Sequence, residues 1–372
     1  MDTLIPDLHI LIIEQLSIFK RLKIRSVSHY FNLLICSNNM QPMIIPINFE
    51  NIQKVTHIRK LYFEISIPNN VTPHYIHENI ISVYLRNYKQ NSTIEKLTNI
   101  TNLSLIHNNY ISGKALKNLT KLTSLNLLRS KHITNIDISH LTKLSTLTLS
   151  ENVTITDITP LTNLTCLDLS DNELISNIHN LTNLTSLNIR NTDYRLSTNI
   201  ISDIHFLSHL IYLNIKNTNI SNHSLSHLTN LEKLVLFDNK NISDDSILYL
   251  TKLDTLIISH NNTITNHGIK NLINITTLSL HWNNTITGEG ICYLTNLIEL
   301  EVYNTRISND HLKYLTNITF LSLYCTDITN DIVTKMTNLT KLNARSCLIL
   351  NDNIYKMPKL KYLNYERIKK IG

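Results

Sequence analysis

The chain has 372 residues, a formal net charge of +6 and a hydrophobic fraction of 42%. That apolar content supports a buried core and excludes wholesale disorder, and the basic residues are scattered, with no dense run to mark a nucleic-acid patch. The five cysteines, Cys36, Cys166, Cys292, Cys325 and Cys347, are far apart and form no C-x-x-C pair, which argues for a reducing compartment and against a disulfide framework or zinc site.

The opening residues lack a basic n-region, and Asp7, His9 and Glu14 interrupt their apolar stretch, so they do not read as a secretory signal. No apolar run approaches the roughly 20 residues of a membrane span. The expected setting is therefore intracellular, cytoplasmic or nuclear, with no membrane contact. Alanine is confined to Ala115 and Ala344 while Asn, Ile, Lys and Tyr abound. This bias resembles proteins of AT-rich protists and of the large DNA viruses that infect them, and would place the chain in the host cytoplasm if viral.

Residues 4–35 have helical periodicity. Pro6 suits a first helical turn and Asp7 the positive end of the dipole, with Leu8, Leu11, Ile12, Leu16 and Phe19 following at spacings of three and four. A second stripe, Ile24, Val27, Phe31 and Leu34, follows a basic turn at 20–23. A segment this short seldom folds alone, so its stripes must pack on something else, either the first repeat as a cap or the helices of a partner. Ile5-Pro6-Asp7, then Leu8, Ile12 and Leu16, then Val27-Ser28, Phe31 and Leu33-Leu34 together resemble an F-box. That resemblance implies a Skp-type adaptor, and through it a cullin, bound by Ile5, Pro6, Leu8, Ile12, Leu16, Val27, Phe31 and Leu34. The turn after Leu16 departs from the pattern, being shorter and lacking the usual Pro and Asp. The segment is assigned to 1–40, and 41–54 reads as a linker and capping strand whose Pro42 and Pro46 forbid a long helix.

From about residue 55 to the C-terminus one stretch keeps returning. LTNLTCLDLSDNELI at 161 recurs as LTNLTSLNIRNTDY at 181, LTNLEKLVLFDNKNI at 228, LINITTLSLHWNNTI at 272, LTNLIELEVYNTRI at 294 and LTNITFLSLYCTDI at 315. A period near 21 residues with the core L-x-x-L-x-L-x-x-N resembles the leucine-rich repeat. The resemblance implies an α/β solenoid of about fourteen units over 55–372, with a curved parallel sheet on the concave side and short helices or turns on the convex side. Period-two alternation sends pairs such as Leu103/Leu105, Leu167/Leu169, Leu278/Leu280 and Leu342/Ala344 inward. Three positions later comes a small polar residue: Asn108, Ser130, Asn152, Asn172, Thr192, Thr218, Asn239, Asn261, Asn283, Thr305, Thr326 or Cys347. In the leucine-rich-repeat family this residue bonds the backbone of the turn, where unpaired peptide groups are costly. An insertion of a few residues is expected near 194–199.

The later units share I-[ST]-[DNG]-x-x-[IL]-x-x-[LM] in their second halves, at 242, 264, 286, 307 and 328. Ser or Thr ahead of that apolar spacing is a helix-start signal and predicts a short helix. The units at 141 and 161 instead resemble the irregular segments of bacterial internalins. The N-x-T triplets read as a by-product of the repeated LTNLT.

No P-loop, G-x-S-x-G, H-E-x-x-H or dinucleotide fingerprint is present, so neither catalytic residues nor a cofactor is expected. His205/His209 and His223/His227 stand at i, i+4, each without an evident third ligand, and no metal site is assigned. The outward strand positions are small or basic around 186–216. From 228 they become Lys233, Phe237, His281, Glu299, Glu301, Tyr303, Phe320, Tyr324, Lys341 and Arg345, with Tyr362 beyond. Clustered aromatic and Arg side chains on an exposed face are the chemistry of a protein interface. The expected function is a protein-interaction adaptor that recruits an unidentified protein through the concave face. As the F-box resemblance implies, it would be the substrate-recognition subunit of a Skp-cullin-F-box ubiquitin ligase. The alternative is a scaffold or inhibitor of one protein, with the N-terminal helices serving only as a cap.

Overall fold

The computed structural model describes residues 82–192, 201, 204–324, 326, 328–345 and 352–364. The helices expected over 4–35, the capping strand of 41–54, the first repeats, the insertion near 194–199, Cys325 and Cys347 lie outside the described residues. The chain divides into two compact units, 1–144 and 145–372.

In the first unit, β1 (Ser82–Arg86), β2 (Asn102–Ile106) and β3 (Ser124–Asn126) pair in parallel, in chain order. The register sets Val83 beside Leu103 and Leu103 beside Leu125, and all three are buried. The connections carry α1 (Asn91–Glu95), a 3₁₀ turn (Gly113–Leu116) and α2 (Asn135–Ile138).

The second unit repeats this plan. Its strands are β4 (Thr146–Thr148), β5 (Cys166–Asp168), β6 (Ser186–Asn188), β7 (Tyr212–Asn214), β8 (Lys233–Phe237) and β9 (Thr255–Ser259). They continue with β10 (Thr277–His281), β11 (Glu299–Tyr303), β12 (Phe320–Tyr324), β13 (Lys341–Arg345) and β14 (Tyr362–Asn364). All pair in parallel, in chain order. One leucine per strand stacks on the next, from Leu147 through Leu167, Leu187, Leu213, Leu234, Leu256, Leu278, Leu300 and Leu321 to Leu342, all buried. Period-two alternation thus becomes a continuous apolar spine.

After α3 (Asn222–Ser226), the start signals at 242, 264, 286, 307 and 328 yield helices where the sequence places them: α4 (Asp244–Ile247), α5 (Asn266–Ile269), α6 (Gly288–Ile291), α7 (Asn309–Leu312) and α8 (Asn330–Val333). Their N-caps are Ser221, Ser243, Thr265, Thr287, Ser308 and Thr329. Between β4 and β6 no helix forms among the described residues. There Asp157 closes a turn by accepting from the backbone N–H and hydroxyl of Thr159 at 2.8 and 2.7 Å, and these bonds hold its carboxyl below the usual range. The register partners Thr146 and Cys166 lie 20 residues apart, whereas Thr277 and Glu299 lie 22 apart. The extra residues accommodate the helical turn.

Polar side chains tie repeat to repeat. Asn283 donates from Nδ2 to the carbonyl of Asn261 and accepts from the N–H groups of Thr285 (3.2 Å) and Ile286 (2.8 Å). Asn261 and Asn172 do the same one and five repeats earlier. Two parts of the expected ladder differ. Thr192 is exposed and bonds the Asp171 carboxylate, with Asn191 buried in its place, and the hydroxyls of Thr305 and Thr326 are buried without a partner. A threonine is shorter than asparagine and cannot span both the preceding carbonyl and the following N–H groups. The LTN asparagines form a second ladder. Asn274, Asn296, Asn317 and Asn338 each donate to a carbonyl of the preceding repeat, at 2.9 to 3.1 Å.

Candidate interaction face

Outward side chains of β8–β13 alternate with the buried leucines, so three parallel rows of them cross the sheet. Lys233, Glu299, Phe320 and Lys341 belong to the first row, Glu301 to the second, and Phe237, His281, Tyr303, Tyr324 and Arg345 to the third. Every expected partner-binding residue therefore lies on one face of the second unit, whereas the expected adaptor-binding residues Ile5 to Leu34 lie outside the described residues.

The third row is built into a continuous ridge. Lys216 Nζ sits 4.0 Å from the Phe237 ring centroid. Ring contacts then run Phe237 to His260 (5.0 Å), His260 to Trp282 (5.8 Å), Trp282 to Tyr303 (5.2 Å) and Tyr303 to Tyr324 (4.3 Å). Such ring pairs add roughly 0.5–1.5 kcal/mol each beyond area burial, so the ridge is partly organised before anything binds it.

Two ridge members, His260 and Trp282, escape the alternation rule. Both follow the last strand residue and adopt left-handed backbone, φ 50° and 52°, as do Asn87, His107, Arg129, Glu151, Asp171, Asn217, Asp238 and Asn304 at the same place in other repeats. The turn that brings the buried asparagine beneath the strand demands this conformation, which costs a non-glycine residue roughly 1–2 kcal/mol. The signal in the sequence is position alone: the residue immediately before the ladder asparagine. Trp282, the chain's single tryptophan, is 44% exposed there.

Beside the ridge lies a polar cluster. Ser279 Oγ donates to Glu301 Oε2 (3.0 Å), and His281 Nε2 stands 3.7 Å from the same oxygen. Burial pushes the His281 pKa down; Glu301 pulls it up less strongly, and His260 adds to the depression. Glu299, two residues along, is exposed, as are Lys233, Lys341 and Arg345, whose Nε donates to Asn364 Oδ1 at 3.3 Å.

The histidines of the opposite side partly regroup. His205 comes within 5.5 and 5.8 Å of the His223 and His227 ring centroids, while His209 bonds the Thr182 carbonyl instead. Among the described residues no group of three or more His, Cys, Asp or Glu is placed to hold a metal ion. None of the described helices is long and apolar enough to cross a membrane.

No protein-family model matches the chain, and no curated protein matches it in sequence. Solved structures do. An internalin, InlF, from Listeria monocytogenes is similar over 89% of this chain and 100% of its own, with a TM-score of 0.61 and 25% identity. The fold is the leucine-rich-repeat fold. Two further leucine-rich-repeat structures show the same fold. One is a Leptospira interrogans protein (TM-score 0.53, 21% identity, 88% of this chain and 83% of that one). The other is the functional domain of InlJ from L. monocytogenes (0.53, 22%, 82% and 66%), described as including a cysteine ladder. The likeness of the repeats at 141 and 161 to internalin segments agrees with these neighbours.

Proposed function

We propose that this leucine-rich-repeat chain is a protein-binding adaptor that grips a target through the exposed strand face of β8–β13. The observation that carries this reading is the ridge from Lys216 to Tyr324, a continuous, partly exposed row of rings flanked by the charged side chains of Lys233, Glu299, Glu301, Lys341 and Arg345. Its continuity over successive repeats suits a macromolecule better than a small ligand. No nucleic-acid partner, cofactor or chemistry of its own is assigned to it.

At finer grain, the chain serves as the substrate-recognition subunit of a Skp-cullin-F-box ubiquitin ligase in the cytoplasm or nucleus. Support comes from the F-box resemblance of residues 4–35, with Ile5, Pro6, Leu8, Ile12, Leu16, Val27, Phe31 and Leu34 docking on a Skp-type adaptor. Such a subunit contributes proximity, raising the effective concentration of target lysines near the ligase. The test is co-purification of adaptor and cullin with the wild type and their loss with Pro6→Ala plus Phe31→Ala. Absence of both from the wild-type preparation would sink the ligase assignment and leave the alternative, a scaffold or inhibitor that needs only the strand face.

A further inference from the structure

The ridge and its neighbouring charges have an order that constrains what can lie on them. Across the first outward row the register reads Lys233, Thr255, Thr277, Glu299, Phe320, Lys341. Glu301 adds a second carboxylate beside Glu299, held by Ser279. With strands about 4.8 Å apart, Glu299 lies about 14 Å from Lys233 and about 10 Å from Lys341. An extended chain advances about 3.3 Å per residue, so these gaps correspond to roughly four and three residues.

The rings also discriminate. Tyr303 and Tyr324 are stacked, with 12° between their planes, and His260 and Trp282 lie within 18° of parallel. One face of each of these rings is taken by its neighbour, so the ridge offers mainly edges to a ligand. Edges and hydroxyls suit apolar and cationic side chains, whereas unstacked bases seek free ring faces and a cationic groove. The two carboxylates beside the ridge oppose phosphates as well.

From this charge order we propose that the face takes an extended protein segment with a Lys or Arg seated on Glu299 and Glu301 and apolar side chains along the Trp282–Tyr303–Tyr324 ridge. An Asp or Glu lies about three residues from that base, toward Lys341. This rests on the strand-face reading above and adds the chemistry of the partner.

The test is selection of random 12-residue peptides displayed on phage against the full chain, followed by affinity measurement with the enriched sequences as synthetic peptides. Expected are peptides with a base next to apolar residues and an acid about three positions away, binding at least about tenfold more weakly to Glu299→Gln plus Glu301→Gln. A peptide whose base is changed to Glu should bind the Glu299→Lys plus Glu301→Lys variant better than the wild type, which guards against loss through misfolding. Enrichment of acidic or uncharged peptides overturns the proposal, as does no enrichment, indifference to the Gln variant, or displacement of the peptides by a random single-stranded RNA. Should peptides show no charge preference while Tyr303→Ala plus Tyr324→Ala still abolishes capture of cellular proteins, the strand-face reading survives and this proposal fails. If that capture persists in the Tyr variant, the strand-face reading itself fails.

Discussion

Asn283 shows how much one side chain can hold. Its amide serves the carbonyl of Asn261 in the preceding repeat and two N–H groups of its own turn, all in a fully buried site. Asn283→Ala leaves these groups without partners, at roughly 1–3 kcal/mol for each buried group stranded. The expected loss is at least about 3 kcal/mol, read from urea unfolding. Thr305→Ala, which removes a hydroxyl that has no partner, should cost less than about 1 kcal/mol in the same assay. The spacing of the ladder was legible in the sequence because it is tied to the leucines. The left-handed residues were not, since backbone sign leaves no trace in hydrophobic alternation and none of the glycines occupies these positions. For that reason the alternation picks out Tyr303 and Tyr324 but not their ring neighbours His260 and Trp282.

His281 gives a residue-scale pH dependence. Its folded pKa lies below the ordinary 6.5, chiefly through burial. The unfolded chain therefore takes up the proton first as pH falls, and stability declines through 6.5 toward the folded pKa. Above that window the group contributes nothing. The unfolding free energy should rise with pH from the depressed folded pKa up through 6.5, with a slope that His281→Gln reduces. The side chain is partly exposed, so the effect is modest. A slope unchanged by His281→Gln would contradict it.

At the scale of the element, the short helices are fastened by their first residues. Asn266, which opens α5, accepts from the N–H of Thr287 and donates to its hydroxyl, both at 2.8 Å. Asn222 clasps Ser243, and Asn309 clasps Thr329, in the same way; Asp244 instead accepts both the N–H and the hydroxyl of Thr265. The third residue of the receiving helix must then be small. A Cβ on Gly290 would come 2.5 Å from Asn266 Oδ1, and one on Gly268 2.3 Å from Asp244 Oδ1. Where the clasping residue is Gly288, the relation inverts. His311 fills the vacated space, 1.8 Å from where a Gly288 Cβ would stand, and its Nδ1 takes over the contact to Ser308 Oγ at 2.8 Å. Gly113 and Asp137 repeat this exchange, with Asp137 bonding Thr134. Ile332 breaks the pattern.

The motif I-[ST]-[DNG] was visible in the sequence, and so were the helices it starts. The coupling between its third position and the next repeat was hidden, because it joins residues twenty or more positions apart. Gly288→Asn should cost about 1–3 kcal/mol through overpacking, and adding His311→Gly should return the protein to within about 1 kcal/mol of wild type. A double variant no more stable than the single one would show that the two positions are independent.

At the scale of the molecule, the fold was legible almost entirely, because a spine of leucines at a fixed period leaves few alternatives. The candidate interaction face was legible in part. Alternation located Phe237, His281, Tyr303 and Tyr324, but only the folded chain joins them to Lys216, His260 and Trp282. The proposed ligase role rests on the sequence of residues 4–35 alone, and the proposed target binding rests on the geometry of the strand face. The two proposals are separable. One affinity purification with the proteasome blocked tests them together, comparing wild type, Tyr303→Ala plus Tyr324→Ala, and Pro6→Ala plus Phe31→Ala. The expected result is a ridge variant that keeps adaptor and cullin but loses the target by about tenfold or more, and a segment variant that keeps the target and loses the adaptor. A target recovered equally with the ridge variant and the wild type would contradict binding through the strand face.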